Sequence, residues 1–220
     1  MAAPDLLLVG PRPDGLGFDP DVACRHLAEA DPAMGELIAR AGHFTMRPAP
    51  SHSLFRVLLG SIVHQQLTGK AAGTIHGRVN RLFAPKRFPT PRDLVEISPE
   101  RLRAAGLSTA KTAALRDLAA RTLDGTVPSL SRVRRMEDEE IVARLTAVRG
   151  IGRWTVEMLL IFKLGRPDVL PLGDLGVRKG FARTFGKRKL PEPAAMSRRA
   201  ERWRPYRSVA SRYLWRALEL

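Results

Sequence analysis

An all-α fold is predicted by three features of the 220-residue sequence. Apolar residues recur at three- and four-residue spacing along most of the chain. Prolines and cap residues stand where helices would begin. Only Leu6 to Val9 resembles a strand. A hydrophobic content of 44% supplies enough apolar surface for a core, and the length suits one domain or two small ones.

The elements run in order along the chain. Pro20-Asp21 opens a helix to about Leu27, and Asp31-Pro32 opens another that Gly42 stops. Leu54, Val57, Leu58, Ile62 and Val63 fall at helical spacing. After a break at Thr68-Gly69 a helix continues to about Phe83. Ser98-Pro99 pairs an N-cap with a proline at the first helical position. Ser108 caps a long helix whose apolar face reads Ala113, Leu115, Leu118 and Leu123, ended by Gly125. Asp138-Glu139-Glu140 supplies the anions a helix N-terminus favours, and that helix runs to Val148. Ile151-Gly152 turns the chain into a core helix from Trp154 to Leu164. Residues 165–173 are too rich in Pro and Gly for a helix, and a helix from Asp174 to Phe185 follows. Two last helices, about 193–202 and 206–218, part at Pro205. The proline-bearing stretches 47–50 and 85–91 are candidate hinges.

Charge narrows the function. With 37 Lys and Arg against 22 Asp and Glu, the formal net charge is +15. It is unevenly spread: residues 1–50 carry a net of −3, and residues 51–220 carry 33 basic and 15 acidic groups, a net of +18. The last stretch, 175–220, alone reaches +10. Most of the cations are Arg, whose fork matches phosphate, so a polyanion is the expected partner. One cysteine, Cys24, excludes a disulfide framework, a Cys-ligated zinc site and a four-Cys iron–sulfur cluster, and the five histidines lack ligand spacing. No apolar run approaches a membrane span and nothing basic precedes Leu6, so neither a membrane nor a secretory signal is expected, and a reducing cytoplasm is.

The most informative stretch is Leu145-Thr-Ala-Val-Arg-Gly150-Ile-Gly152-Arg-Trp154-Thr155. A helix ends, a Gly-x-Gly turn follows and a second helix begins. Free amides of such a turn and of the helix N-terminus make a site of phosphate size that ignores base identity. Taken by itself, the turn equally describes an ordinary helical hairpin with a glycine cap.

The flanking sequence decides for a family. Val148 to Thr155, the Gly/Pro-rich loop and Asp174 together resemble the helix–hairpin–helix DNA glycosylase superfamily, with the strongest likeness to its 3-methyladenine glycosylase II group. Ser61-Ile-Val-His-Gln-Gln-Leu-Thr-Gly-Lys-Ala-Ala72 resembles the group's Gln-bearing helix and turn, and Gly106-Leu-Ser-Thr-Ala-Lys-Thr112 its second cap. Trp203 to Ala210, with Trp215, resembles its C-terminal stretch, so the likeness covers about residues 50–220. It implies two helical domains with a lesion cleft between them: residues 59–164 form one, and 1–58 pack with 165–220 as the other. The extra N-terminal β domain of some relatives is expected to be absent or reduced.

The resemblance also implies a chemistry. Base release breaks the C1′–N bond through an oxocarbenium-like state that a nearby carboxylate stabilises. Asp174 matches the family's catalytic position, at a helix N-terminus that favours the charged form. A loop of nine residues reaches up to about 30 Å, enough to return Asp174 to the hairpin. Strand-cutting relatives place a Lys just after the hairpin; here that position is Trp154, which implies a monofunctional enzyme leaving an abasic site. Bases alkylated at N3 or N7, such as 3-methyladenine and 7-methylguanine, are cationic and leave without prior protonation, so the pocket wants an electron-rich wall. Trp154 and Trp215 match the family's pocket aromatics, although core packing is the competing reading. Two further aromatic positions correspond to Met158 and Leu175, which thins the stacking surface. Gln66 matches the side chain that fills the gap left by an extruded base, and Gln65 either meets the opposite base or caps the helix; both equally suit buried structural amides.

Phosphate contacts fall to the amides of Gly150, Gly152 and Thr155. The carbonyls of Thr146, Val148 and Ile151 match those that hold a structural sodium or potassium ion in some relatives; the hydrolysis itself requires no cofactor. The expected partner is double-stranded DNA containing alkylated bases, bound by a cytoplasmic monomer that is nucleoid-associated if the source is bacterial. A non-catalytic DNA-binding module, or a glycosylase for uracil, hypoxanthine or an oxidised purine, remains open on the sequence alone.

Overall fold

A computed structural model describes residues 15–49 and 53–220, so the strand-like Leu6 to Val9 lies outside the described residues. Every element described is helical: α1 (Pro20–Ala30), α2 (Pro32–Ala41), α3 (Leu54–His64), α4 (Gly69–Arg81), α5 (Pro91–Glu96), α6 (Pro99–Ala104), α7 (Thr109–Leu123), α8 (Leu130–Val133), α9 (Asp138–Thr146), α10 (Arg153–Phe162), α11 (Leu175–Thr184), α12 (Pro193–Ala200), a 3₁₀ turn at Glu201–Trp203 and α13 (Arg207–Arg216). None of these helices is long and apolar enough to cross a membrane.

The starts lie where cap chemistry puts them. Asp19, Ser53, Thr68, Ser108 and Ser129 each accept a backbone N–H of the first turn that follows, and Pro32, Pro91 and Pro99 begin helices where no amide partner is lost. Three expectations need correction. The helix expected to reach Val148 stops at Thr146, because Val148 N–H bonds Leu145 O and its side chain turns into the core. On α7 the buried face is Thr112, Ala114, Leu115, Leu118 and Ala119; Ala113 is half-buried and Leu123 is exposed at the frayed end before Gly125. The hinge at 85–91 ends in a helix start. Thr90 and Asp93 form a capping box over α5, and Lys86 donates to Asp93 at 2.7 Å. The Lys86 ion pair and the Thr90 N–H hold the Asp93 carboxyl at about 2.

The chain divides into two compact units: residues up to 50 with Glu157–Leu220, and Ser51–Val156. The division differs from the expected 59–164 at both ends. α3 is one unbroken helix from its Ser53 cap and packs on α4 and α7, so all of it belongs to the central unit; at the other end the division falls inside α10, after Val156. The central unit is built round α7, against which α3, α5 and α6 pack through Leu58, Ile62, Leu94, Leu102, Leu115 and Leu118, all fully buried. The other unit is built round α13, which touches α1, α2 and α11 and buries Tyr213 and Leu214. The segment expected as a hinge at 47–50 is tied here, with Ala49 N–H on Phe162 O at 3.0 Å.

Gly180 decides how closely α11 and α13 approach, since a Cβ there would run into the Leu214 carbonyl. Helix propensity would favour Ala over Gly by about 1 kcal/mol, whereas overpacking costs about 1–3 kcal/mol or more. Gly180→Ala is therefore expected to lower the unfolding midpoint in denaturant despite its better propensity.

Candidate active site

In the terminal unit the chemistry gathers at the start of α11. Asp174 is its N-cap, extended at φ −73° and ψ 122°, and its Oδ1 accepts Val177 N–H at 2.8 Å. The same oxygen accepts the indole N–H of Trp215, on α13, at 2.8 Å. Gly176 makes room for that contact, because a Cβ there would stand 2.7 Å from Trp215 Cδ1. The Trp215 ring lies 5.5 Å from that of Phe162 at a 31° tilt. Trp215 is thus first a group that orients the carboxylate, a part that neither stacking nor core packing had suggested. Leu175, the next residue along, is 52% exposed.

The loop before Asp174 is fixed despite its composition. Asp168 accepts Arg207 Nε at 2.7 Å and Nη2 at 3.0 Å, and Arg204 Nη1 at 2.6 Å. Ser208 Oγ accepts Val169 N–H at 2.9 Å, and Ser208 N–H bonds Pro167 O. These bonds peg the loop to the start of α13, so the carboxylate is delivered from a rigid support.

In the central unit the hairpin joins α9 to α10. Gly150 has φ 79°, which a side chain would strain, and an added Cβ would press on Ala114. Arg149 N–H donates to Asp117 Oδ2 at 2.7 Å, and Asp117 also pairs with Arg121. Arg153 grips Glu139 with two bonds, 3.0 and 2.6 Å, which ties the start of α10 to the start of α9 and lowers the Glu139 carboxyl below its ordinary range. Among the described residues the amides of Gly150 and Gly152 have no acceptor, whereas Thr155 N–H already bonds Gly152 O at 3.0 Å. Thr155 therefore differs from the two glycines as an amide for phosphate. Val148 O accepts Ile151 N–H, which leaves one lone pair on an oxygen of the type hard cations choose. No group of His, Cys, Asp and Glu among the described residues is arranged to hold a metal.

The Gln turn belongs to the same unit. α3 ends at His64, and Gln66 follows at φ 57°, the one non-glycine in the left-handed region among the described residues. Gln66 is exposed. Gln65 Nε2 donates to Gly150 O at 2.8 Å, so the reading of Gln65 as a structural amide fits better than a group turned to the opposite base. Lys111 Nζ donates to Val63 O at 2.8 Å and Gln65 O at 2.7 Å, and burial holds its ammonium below the usual lysine range. On α10, Trp154 and Met158 stand four residues apart on one face. Trp154 is 51% exposed, so it belongs to α10 but not to its buried face, and Met158 is half-buried.

The model of the family described as HhH-GPD superfamily base excision DNA repair protein matches residues 59–205. The chain belongs to the HhH-GPD superfamily. Over 196 residues it is 35% identical to DNA-3-methyladenine glycosylase 1 of Schizosaccharomyces pombe, spanning 89% of this chain and 86% of that protein. Among solved structures it is similar to the S. pombe 3-methyladenine DNA glycosylase Mag1 in complex with abasic DNA, with a TM-score of 0.76 at 35% identity over 90% of this chain and 97% of that one. It is also similar to a DNA-3-methyladenine glycosidase from Bacillus halodurans, with a TM-score of 0.80 at 34% identity, over 90% and 89%.

For a member of the HhH-GPD superfamily, the sequence reading named the hairpin, the Gln turn and Asp174 but missed their supports. Asp117, Lys111, Gly176 and Asp168 act through partners that no local motif connects to them. Of these, Lys111 lay within the stretch Gly106-Leu-Ser-Thr-Ala-Lys-Thr112 and Asp168 within the Gly/Pro-rich loop 165–173, but neither was given a role there.

Proposed function

We propose that the protein is a monofunctional DNA glycosylase that hydrolyses the N-glycosidic bond of alkylated, cationic bases in duplex DNA. The observation that carries this reading is the Asp174 carboxylate, fixed by Val177 N–H and the Trp215 indole at the head of α11. Such a carboxylate stabilises the oxocarbenium-like sugar and orients the attacking water. A base that is already cationic needs no general acid. The exposed Trp154, with Met158 four residues further along α10, offers the electron-rich wall that favours such a cation over the neutral base, and Leu175 is exposed next to Asp174. The names of the relatives, and the abasic DNA in one of their structures, support the substrate and the product state.

The glycine amides of the hairpin hold a phosphate, Gln66 fills the vacated place in the stack, and the enzyme works as a monomer in the cytoplasm. The carbonyls of Thr146, Val148 and Ile151 would hold a sodium or potassium ion that steadies the hairpin. No step of the hydrolysis passes through it.

A release assay on duplexes carrying 3-methyladenine, 7-methylguanine, hypoxanthine or uracil tests the reading. The two cationic bases are expected to be released, and the neutral ones slowly or not at all. Release of uracil alone, or of nothing, would overturn it. Borohydride added during turnover is expected to trap no covalent adduct, because the position just after the hairpin is Trp154 rather than a lysine.

A further inference from the structure

We infer that Lys111 and Gln65 are positioning residues for opening the duplex: together they brace the Gln66 turn and lock it to the glycine hairpin. This rests on the proposed glycosylase reading and deepens it. Three observations carry it. The first is the backbone of Gln66, held at φ 57° without a glycine's freedom. A residue in that region persists only where its surroundings over-determine it, and such residues gather at working sites.

The second is the place of Lys111. It stands in the first turn of α7, where the helix dipole disfavours a cation. Its ammonium reaches away from its own helix to the end of α3 and bonds the carbonyls of Val63 and Gln65. There a cation is favoured, because the last carbonyls of a helix lack intrahelical partners. The Gln65 carbonyl belongs to the same peptide as the Gln66 amide, so the bond fixes the plane from which Gln66 turns.

The third is the amide of Gln65, which reaches Gly150 O at 2.8 Å. Only its nitrogen can donate to a carbonyl, so the orientation of the amide is set. The bond fixes the peptide between Gly150 and Ile151, inside the turn assigned to phosphate. The residue that fills the gap and the loop that holds the strand are thereby made one rigid piece. Rigid support of this kind has particular value where the partner must be forced apart, as when a base is drawn from the stack.

The test compares two contexts for one lesion. In the first, 7-methylguanine is paired with cytosine; in the second it stands opposite an abasic analogue, where extrusion costs less. Single-turnover release is measured for the intact chain, for Lys111→Met, for Lys111→Arg and for Gln65→Leu, with thermal unfolding monitored for each. Release by the intact chain establishes the glycosylase reading first, so a failure of that reading is distinct from a failure of the brace. In the paired duplex Lys111→Met and Gln65→Leu are expected to lose about 10- to 100-fold, the scale of a misplacement near 1 Å. Opposite the abasic analogue the loss is expected to fall within about threefold, and Lys111→Arg, which keeps a cation with N–H donors in a bulkier fork, is expected to lose less of the paired rate than Lys111→Met. Equal losses in both contexts, or none in either, would overturn the inference. Should Lys111→Met fail to fold, Gln65→Leu alone decides between these outcomes.

Discussion

Asp174→Asn is expected to reduce single-turnover release of 7-methylguanine by about 10²- to 10³-fold, the scale of losing one preorganised electrostatic group in a closed site. The substitution is nearly isosteric. The amide oxygen can still accept Val177 N–H and the Trp215 indole, the two bonds that Oδ1 accepts now. Asn also caps helices about as well as Asp, so the unfolding midpoint is expected to stay close to that of the intact chain. What is lost is the negative charge, together with one acceptor oxygen that becomes an NH2 donor. DNA affinity is expected to persist, because the hairpin amides and the Arg-rich surface are untouched. Binding measured on an abasic analogue separates the two effects. Retained binding with lost release is the result of a catalytic carboxylate. Full-rate release would mean that the departing base and an ordinary water suffice, and Asp174 would then be only a helix cap.

Whether a part of this site is legible in the sequence depends on how local its signal is. Helix starts are written in one to four residues: Ser108 before α7, Pro99 after Ser98, Asp174 before α11. The hairpin is equally local, since a Gly-x-Gly turn between two apolar helices announces itself. Four aspects were less accessible. The buried face of α7 depends on three partner helices, and Thr112, Ala114 and Ala119 look no more apolar than the Ala113 that stays half-buried. The Thr90–Asp93 box was written in the sequence, but the prolines around it drew the reading towards a hinge. The role of Trp215 depends on a bond to a residue 41 positions away, and that of Lys111 on carbonyls 46 and 48 positions away. No periodicity encodes such pairings. They appear only when α11 meets α13 and α3 meets α7, and both approaches are set by packing rather than by motif.

The same distinction governs the second large expected effect, at Asp31. This residue links α1 to α2 and is fully buried. Its Oδ1 accepts Arg199 Nη2 at 2.7 Å, and its Oδ2 accepts Arg199 Nε at 2.8 Å and Trp203 Nε1 at 3.1 Å. Asp31→Ala leaves a buried indole N–H without an acceptor and Arg199 without its counter-charge. Breaking a buried pair from one side costs about 3–5 kcal/mol. Arg199 is a third exposed and can turn partly to water, so about 3 kcal/mol is the better expectation, or roughly 6–12 °C in the unfolding midpoint. The damage reaches the site by packing. Arg199 lies 3.9 Å over the ring of Phe185, Phe185 stacks on Trp203 at 18°, and Phe181 of α11 touches both rings. Loosening the turn at Trp203 loosens the far end of the helix that Asp174 heads. Asp31→Ala is therefore expected to lose activity steeply on warming yet release base normally in the cold, where Asp174→Asn stays inactive at every temperature. Acid gives an independent check. Burial alone would raise the Asp31 carboxyl, but the bonds from Arg199 and Trp203 outweigh it and hold the group below its ordinary range. A carboxyl depressed in the folded state contributes stability above its unfolded value, about 3.9, and loses that contribution as pH falls through the folded one. The stability gap between the intact chain and Asp31→Ala is thus expected to stay constant from about pH 5 to 8 and to narrow below about pH 4. A gap that held its size down to about pH 2 would assign the loss to the cavity rather than to the charge.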